Sequence, residues 1–135
     1  MNALLDSNTC IELIRQRQAS VRERALQFEA AGNRMFVSSI SVFELWYGVA
    51  YSSRPEENEL RLVAFLATIP SVAFNDEDAH AAGTIRADLR RRGAQIGPYD
   101  CLIAAQAVRR DFLLITANVS EFSRIAALRW ENWTT

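Results

Sequence analysis

Short apolar runs alternate with segments of helical periodicity along this chain, and the alternation predicts an α/β fold. Apolar runs that end at turn-forming or helix-capping residues predict strands; they lie at residues 3–5, 35–37, 71–74 and 112–115, with an edge strand expected at 127–130. The segments between them carry apolar side chains at helical spacing. Strands that alternate with helices imply a parallel sheet with right-handed crossovers.

Capping and breaking residues divide the helical segments. A helical hairpin is predicted after the first strand, and a second helical pair after the second strand, because Pro55 suits the first turn of a new helix. Asn75 or Asp76 can cap a long helix that continues to Arg92. The helix that opens at Pro98 is apolar nearly all round, which predicts that it is central and buried.

Composition and charge limit the possible functions. A chain of 135 residues with 50% hydrophobic content predicts one domain over residues 1–135. The net charge of -1 gives no bulk attraction for nucleic acid, so a polyanion would have to meet a local patch. The basic residues are all arginine, which excludes a P-loop with its lysine. With no long apolar stretch and no signal-peptide layout, we expect a cytoplasmic protein that does not bind membranes.

The two cysteines and the one histidine are not expected to belong to a functional site. Cys10 and Cys101 form neither a disulfide framework nor a CxxC metal pair, and we expect both to be small buried hydrophobes. Both lie near candidate acids, so a thiol ligand is the alternative. His80 is expected on a helix surface.

Four carboxylates are the candidate chemistry, each just past an apolar run or in the first turns of the following helix: Asp6, Glu44, Asp100 and Glu121. Ligand crevices of open α/β sheets lie beyond the carboxyl ends of the strands, so these acids can converge. Two like charges about 5 Å apart repel by about 3 kcal/mol at an effective dielectric of about 20. Such a pocket should hold Mg²⁺ or Mn²⁺, which prefer carboxylate oxygen.

Each acid also has a simpler interpretation when it is taken alone. Asp6 suits a helix cap as well as a ligand, and Asp100 suits the dipole of a helix N-terminus. Glu44 interrupts an apolar face, where burying an unpaired charge costs several kcal/mol. A partner or a metal is therefore favoured for Glu44.

Sequence strings around these acids occur in order: Leu5-Asp6-Ser7-Asn8; Ser38-Ser39-Ile40-Ser41-Val42-Phe43-Glu44-Leu45 with Gly48; Ile96-Gly97-Pro98-Tyr99-Asp100 followed by Leu102-Ile103-Ala104-Ala105; and Thr116-Ala117-Asn118 with Glu121-Phe122. Together they resemble the PIN-domain ribonucleases, and more closely the VapC toxins of bacterial toxin–antitoxin pairs. The resemblance covers nearly the whole chain. Each string is weak alone, but all of them in order at this length are specific.

The resemblance implies a PIN-like three-layer α/β/α sandwich with a central parallel sheet of four to five strands, in a single PIN domain. It implies a Mg²⁺- or Mn²⁺-dependent endoribonuclease, a hydrolase, that leaves 5′-phosphate and 3′-hydroxyl ends. Asp6, Glu44 and Asp100 match the core acids that are both catalytic and metal-binding. Asn8 and Thr116 match supporting polar positions.

The fourth acid departs from the family pattern. Many members carry an aspartate close to the strand end, where this chain has Ala117 and Asn118. Glu121 is the expected catalytic substitute, and Asn118 could instead bind metal through water. Ser7 replaces the usual threonine after the first aspartate, and its hydroxyl can serve similarly.

The resemblance also implies partners. They are a VapB-type antitoxin, a second copy of the chain in a homodimer, a larger hetero-oligomer with the antitoxin, and an RNA substrate, either tRNA or rRNA, with tRNA favoured. The alternative is a non-catalytic PIN-type RNA-binding or scaffold domain. Such a protein would be expected to have lost one of the core acids, and this chain keeps Asp6, Glu44 and Asp100.

Arginines outside the acid strings have open roles. Arg86 shares a helical face with Ala82 and Leu89, so it can be a counter-ion to the acids, a phosphate contact or a snorkelling side chain. The runs 90–92 and 109–110 can form a basic rim for RNA, or simply end their helices in solvent.

Aromatic residues also leave a choice. Trp46, Tyr47 and Tyr51 lie on one predicted helix and can be core or an interface anchor. The family resemblance favours an interface.

Overall fold

Five short strands form the central sheet of this computed structural model, which describes residues 1–135. They are β1 (Asn2–Leu5), β2 (Arg34–Ser38), β3 (Ser71–Val72), β4 (Leu113–Ile115) and β5 (Trp130–Glu131). The strands pair in the order β3-β2-β1-β4-β5, and every pair is parallel. The predicted parallel sheet is confirmed, and β1 lies at its centre.

Seven helices lie between the strands: α1 (Ser7–Arg15), α2 (Ala19–Ala30), α3 (Ser39–Tyr51), α4 (Pro55–Leu66), α5 (Asp76–Arg91), α6 (Pro98–Arg110) and α7 (Val119–Phe122). Both predicted helical pairs are present. Proline opens α4 and α6, because its fixed φ suits the first helical turn. Ser38 caps α3, and Asn75 caps α5. None of the helices combines the length and apolar character needed to cross a bilayer.

Both faces of the sheet are covered by helices. Alternate side chains of a strand point to opposite faces, and β1 shows this directly. Ala3 and Leu5 pack in a core with α1, α2, α3 and α4, whereas Leu4 packs in a second core with α5, α6 and α7. The α/β/α sandwich is therefore confirmed, and α6 is as buried as its composition predicted.

The two edge strands differ from their predicted positions. Residues 73–74 leave the sheet because the carbonyl of Ala73 accepts hydrogen bonds from Gln106 and Arg110, and Phe74 N–H donates to Ser39 Oγ. At the other edge, residues 125–128 form a turn, so β5 begins at Trp130 rather than at residue 127. Side-chain bonds of this kind leave no trace in hydrophobic periodicity.

A buried carboxylate joins α5 to α6. Asp78 has no exposed surface and accepts hydrogen bonds from Arg109 Nε at 2.6 Å, Arg110 Nη2 at 2.9 Å and Gln106 Nε2 at 3.2 Å. Burial by itself would raise the pKa of Asp78. The hydrogen bonds from Arg110, the Asn75 amide and Arg109 outweigh burial and lower the pKa to about 2.

This network corrects the interpretations given to Arg109 and Arg110. They form neither a basic rim for RNA nor a solvated helix end, because both guanidinium groups bind Asp78. Arg92, at the end of the other arginine run, pairs with Asp88. Sequence reasoning did not identify the Asp78 network, because Arg109 and Arg110 lie 31 and 32 positions away from Asp78 along the chain.

Both cysteines are free and buried, as expected. Burial raises the pKa of both thiols, which opposes a thiolate ligand at either position. His80 is exposed on α5, also as expected.

The Asp78 network predicts a large effect of one substitution. Asp78→Asn keeps an acceptor for the Asn75 amide but removes the charge that the two arginines face. We expect urea unfolding to show that the free energy of unfolding falls by about 3 kcal/mol. This is the low end for a broken buried pair, and it applies because the side chains of Arg109 and Arg110 remain 28% and 23% exposed. The loss should shrink as the pH falls from about 4 toward about 2, because a lowered folded-state pKa stabilises only above that range.

Asp88→Asn is the matched control. It removes an exposed carboxylate on the same helix that pairs with Arg92, and we expect it to cost less than about 1 kcal/mol. Equal losses in the two variants would contradict the structural role of Asp78.

Candidate active site

Asp6 is fixed at the carboxyl end of the central strand. Its N–H donates to the carbonyl oxygen of Ile115 at 3.1 Å, and its side chain accepts the N–H of Thr9 at 2.8 Å as the cap of α1. Burial raises the pKa of Asp6, and hydrogen bonds from Thr116 and Thr9 partly oppose that rise. Asp6 is therefore a helix cap, and its charge also acts on the other acids.

Glu44 reaches the same edge of the sheet from α3. Ser7 Oγ donates a hydrogen bond to Glu44 Oε1 at 2.7 Å. Ser7 directly follows Asp6, so this bond links the carboxylate of α3 to the end of β1. Glu44 is half-buried and has a polar partner, as expected for an acid on an apolar helix face.

Asp100, Asn118 and Glu121 form a hydrogen-bonded group. Asn118 Nδ2 donates to Glu121 Oε2 at 2.7 Å and to Asp100 Oδ2 at 3.3 Å. The N–H of Gly97 donates to Glu121 Oε1 at 3.3 Å. The sequence did not identify this backbone donor, although a glycine before the first-turn proline of a helix leaves an N–H free for such a contact. Both candidates for the fourth position lie against Asp100.

The pKa of Asp100 shows that the four acids share one electrostatic field. Burial raises it to about 7, together with the hydrogen bond and charge of Glu121 and the charges of Glu44 and Asp6. The pKa of Glu121 is lowered by its hydrogen bonds to Asp100 and Asn118. Below about pH 7 the proton of this pair therefore lies on Asp100, and the hydrogen bonds to Glu121 favour its negative charge.

The acid side chains are not arranged as a complete metal-binding set. No group of three or more His, Cys, Asp and Glu side chains has metal-ligand spacing. Two of the acids are bound to neutral protein donors: Ser7 donates to Glu44, and Asn118 donates to Glu121. The donor set still suits Mg²⁺ or Mn²⁺, because it is made of carboxylate oxygen and no arginine forms an ion pair with it.

The other predicted residues occupy different environments. Thr116 is buried at the end of β4, and its Oγ1 accepts the N–H of Asn118 at 2.9 Å. Asn8 is exposed in the first turn of α1. Arg86 is exposed on α5 beside Cys101 and pairs with no carboxylate, so no contact supports a counter-ion role.

The aromatic residues of α3 point in different directions. Trp46 packs against the core, whereas Tyr47 and Tyr51 are exposed and stack with ring centroids 5.9 Å apart. Sequence reasoning overlooked the pair that Phe43 forms with Tyr99, whose ring centroids are 5.6 Å apart. Each of these two residues immediately precedes a candidate acid, and that position was the available signal.

Comparison with known proteins places the chain in a family. Its sequence matches the PIN domain over residues 3–128. The tRNA(fMet)-specific endonuclease VapC of Shigella flexneri is 38% identical over 131 residues, which cover 97% of each chain. This chain belongs to the VapC group of the PIN-domain family.

Solved VapBC complexes share the fold of this VapC-group chain. VapBC2 from Rickettsia felis, bound to a DNA fragment from its promoter, has a TM-score of 0.92 at 34% identity and covers 98% of this chain and 99% of its own. DNA-bound VapBC from Salmonella typhimurium has a TM-score of 0.90 at 37% identity and covers 98% of both chains. The family resemblance stated from the motifs is confirmed.

The raised pKa of Asp100 predicts a pH-dependent gain in stability. An acid whose folded-state pKa exceeds its unfolded value lowers stability as the pH rises between the two values. In the presence of chelator, Asp100→Asn should therefore raise the Tm at about pH 8 and raise it much less at about pH 5, which lies only slightly above the unfolded-state pKa. Thermal unfolding at both pH values measures this.

Glu59→Gln, at an exposed site on α4, is the control and should give the same small shift at both pH values. An Asp100→Asn shift that does not change with pH would show that the acids do not repel one another.

Proposed function

We propose that this VapC-group chain is the toxin of a toxin–antitoxin pair and acts as a Mg²⁺- or Mn²⁺-dependent endoribonuclease that hydrolyses tRNA. The observation that carries the proposal is that the fold brings Asp6, Glu44, Asp100 and Glu121 to one edge of the sheet, where the other three acids help to raise the pKa of Asp100. These acids come from the end of β1 and from α3, α6 and α7. A bound divalent cation would relieve their repulsion. Residues 1–135 would then work as a single PIN domain.

The residues that would hold the cation are Asp6, Glu44 and Asp100. Glu121 would complete the set, or Asn118 would do so through water. When bound, the cation supplies polarisation of a phosphate oxygen and activation of water for attack on phosphorus. Both glutamates would have to rotate away from their present hydrogen-bond donors, Ser7 and Asn118.

The chain's own residues position the reacting groups. The backbone and side chain of Asp6 are both held by hydrogen bonds, at the end of β1 and to Thr9, so its position is fixed by the fold. Asn118 keeps Glu121 against Asp100. Since Asp100 is protonated below about pH 7, cation binding there must displace its proton, and affinity should rise as the pH passes about 7.

The substrate and the partners are proposed from the relatives. The Shigella flexneri relative is named for tRNA(fMet), and we propose tRNA as the substrate class here. The neighbouring structures are complexes of VapB with VapC, and we propose a VapB-type antitoxin that silences this chain, together with a homodimer of the chain itself. Arg86 stays a proposed phosphate contact, since its exposed side chain has no carboxylate partner.

Cleavage of RNA is the direct test. Antitoxin-free protein incubated with total RNA and Mg²⁺ or Mn²⁺ should give discrete cuts, which sequencing of the ends would map to tRNA. Asp6→Asn should slow cleavage by at least about 100-fold, because it removes one of the carboxylates that would hold the cation beside the reacting phosphate. Chelator should abolish cleavage.

Asp111→Asn is the control for this test. Asp111 lies just before β4, at the opposite end of that strand from Thr116, and pairs with Arg129. Its substitution should leave cleavage unchanged. If the wild-type protein bound RNA but cut none, the non-catalytic RNA-binding alternative would replace the nuclease proposal.

The fourth ligand can be identified by metal binding alone. Mn²⁺ should raise the Tm of the wild-type protein, because a ligand that binds only the folded state stabilises it. Glu121→Gln should weaken Mn²⁺ binding by about 10-fold or more. Adding Asn118→Asp to Glu121→Gln should restore it, because this places a carboxylate nearer the strand end. Undiminished Mn²⁺ binding in Glu121→Gln would assign the fourth position to Asn118.

A further inference from the structure

An aromatic pair lies next to two of the candidate acids. Phe43 on α3 directly precedes Glu44, and Tyr99 on α6 directly precedes Asp100. Their rings meet edge to face, with centroids 5.6 Å apart and an interplanar angle of 63°. The pair therefore connects the two helices that carry Glu44 and Asp100.

The pair borders a cavity whose wall includes one of the candidate acids, Glu44. The cavity has a volume of about 420 Å³, within the usual range of ligand sites. One side is polar and the other aromatic, and the residues that matter here are Ser7, Asn8, Glu44, Phe43, Tyr47 and Tyr99. No arginine lines it.

Core packing does not account for the two rings. Phe43 is 53% exposed and Tyr99 is 46% exposed, so about half of each side chain faces solvent. Contiguous exposed apolar surface beside a pocket marks a place where a partner binds. The flat faces of such rings suit another flat, uncharged group.

The charge of the cavity favours one occupant. Glu44 lies in its wall and no cation does, so a phosphate group would be repelled there. A nucleobase is uncharged and planar, and it stacks on aromatic rings whatever its identity. A base next to the scissile phosphate would enter this cavity while the phosphate itself met the acids.

We propose that Phe43 and Tyr99 are positioning residues that stack one RNA base beside the bond to be cut. This inference rests on the proposed ribonuclease function. Asn8, exposed on the polar side of the cavity, offers an amide donor and acceptor to the edge of that base. Because the two ring planes are inclined by 63°, the base would stack on the face of one ring and contact the edge of the other. This contact holds the strand in place, so it acts on binding more than on the chemical step.

The test uses the full-length protein and an RNA that spans the mapped cut. In single-turnover cleavage with the Phe43→Leu/Tyr99→Leu variant, the half-saturating RNA concentration should rise roughly 5- to 150-fold, the usual effect of losing a base stack. The maximal rate should change much less. Tyr99→Phe keeps the ring and should behave as wild type.

Abasic RNA identifies the base that is stacked. An RNA that lacks the base next to the cut should bind the wild-type protein as weakly as intact RNA binds the double leucine variant. Combining the two changes should give no further loss, because both remove the same contact. Tyr51→Leu, which removes an exposed aromatic side chain outside this cavity, should leave the half-saturating concentration unchanged.

Three outcomes would overturn the inference. The effects of the leucine and abasic changes could multiply, which would mean that they act at separate places. The leucine variants could leave saturation unchanged but lower the mass measured by light scattering, which would show that a second copy of the chain covers the rings. Wild-type protein that cuts no RNA would contradict the proposed ribonuclease function itself. Cleavage by the wild type is therefore measured first, so that failure of the ribonuclease proposal is distinguished from failure of the stacking inference.

Discussion

Parallel pairing of β1 with β2 and β4 is the constraint on which the candidate site depends. The register places Leu5 beside Val37 on one side and beside Ile115 on the other. All three strands therefore end at one edge of the sheet, and the polar residue after each end, Asp6 or Thr116 among them, emerges there. Helices that start at this edge add Glu44 and Asp100. The acids meet because of topology, although no two of the three core acids are closer than 38 positions in the sequence.

Hydrogen bonds within the chain set the resting positions of these acids. Ser7 holds Glu44, and Asn118 holds Glu121, at 2.7 Å in each case. Each bond gives a carboxylate a neutral donor, which stabilises its charged form while no cation is present. Under the proposed function, metal coordination would replace these bonds, so Ser7 and Asn118 would both influence the affinity for the cation.

Sequence reasoning recovered what local pattern and family motifs encode, and it missed what long-range side-chain bonds decide. Apolar runs located β1, β2 and β4, and proline located the start of α6. The ends of β3 and β5 were displaced because bonds from Gln106 and a turn before Trp130 override strand propensity. Arg109 was misread for the same reason, since nothing near it in the sequence reveals its partner Asp78.

The fold treats two desolvated carboxylates, Asp78 and Asp100, in opposite ways. Asp78 and Asp100 are both desolvated, and burial alone would raise the pKa of each. At Asp78 the fold supplies two arginines, and the pKa falls to about 2. At Asp100 the fold supplies three more acids, and the pKa rises to about 7. A chain with fifteen basic residues had the means to neutralise both sites. It neutralises only one. A cation from solution would relieve the repulsion at Asp100, and under the proposed function this relief would favour metal binding at the site.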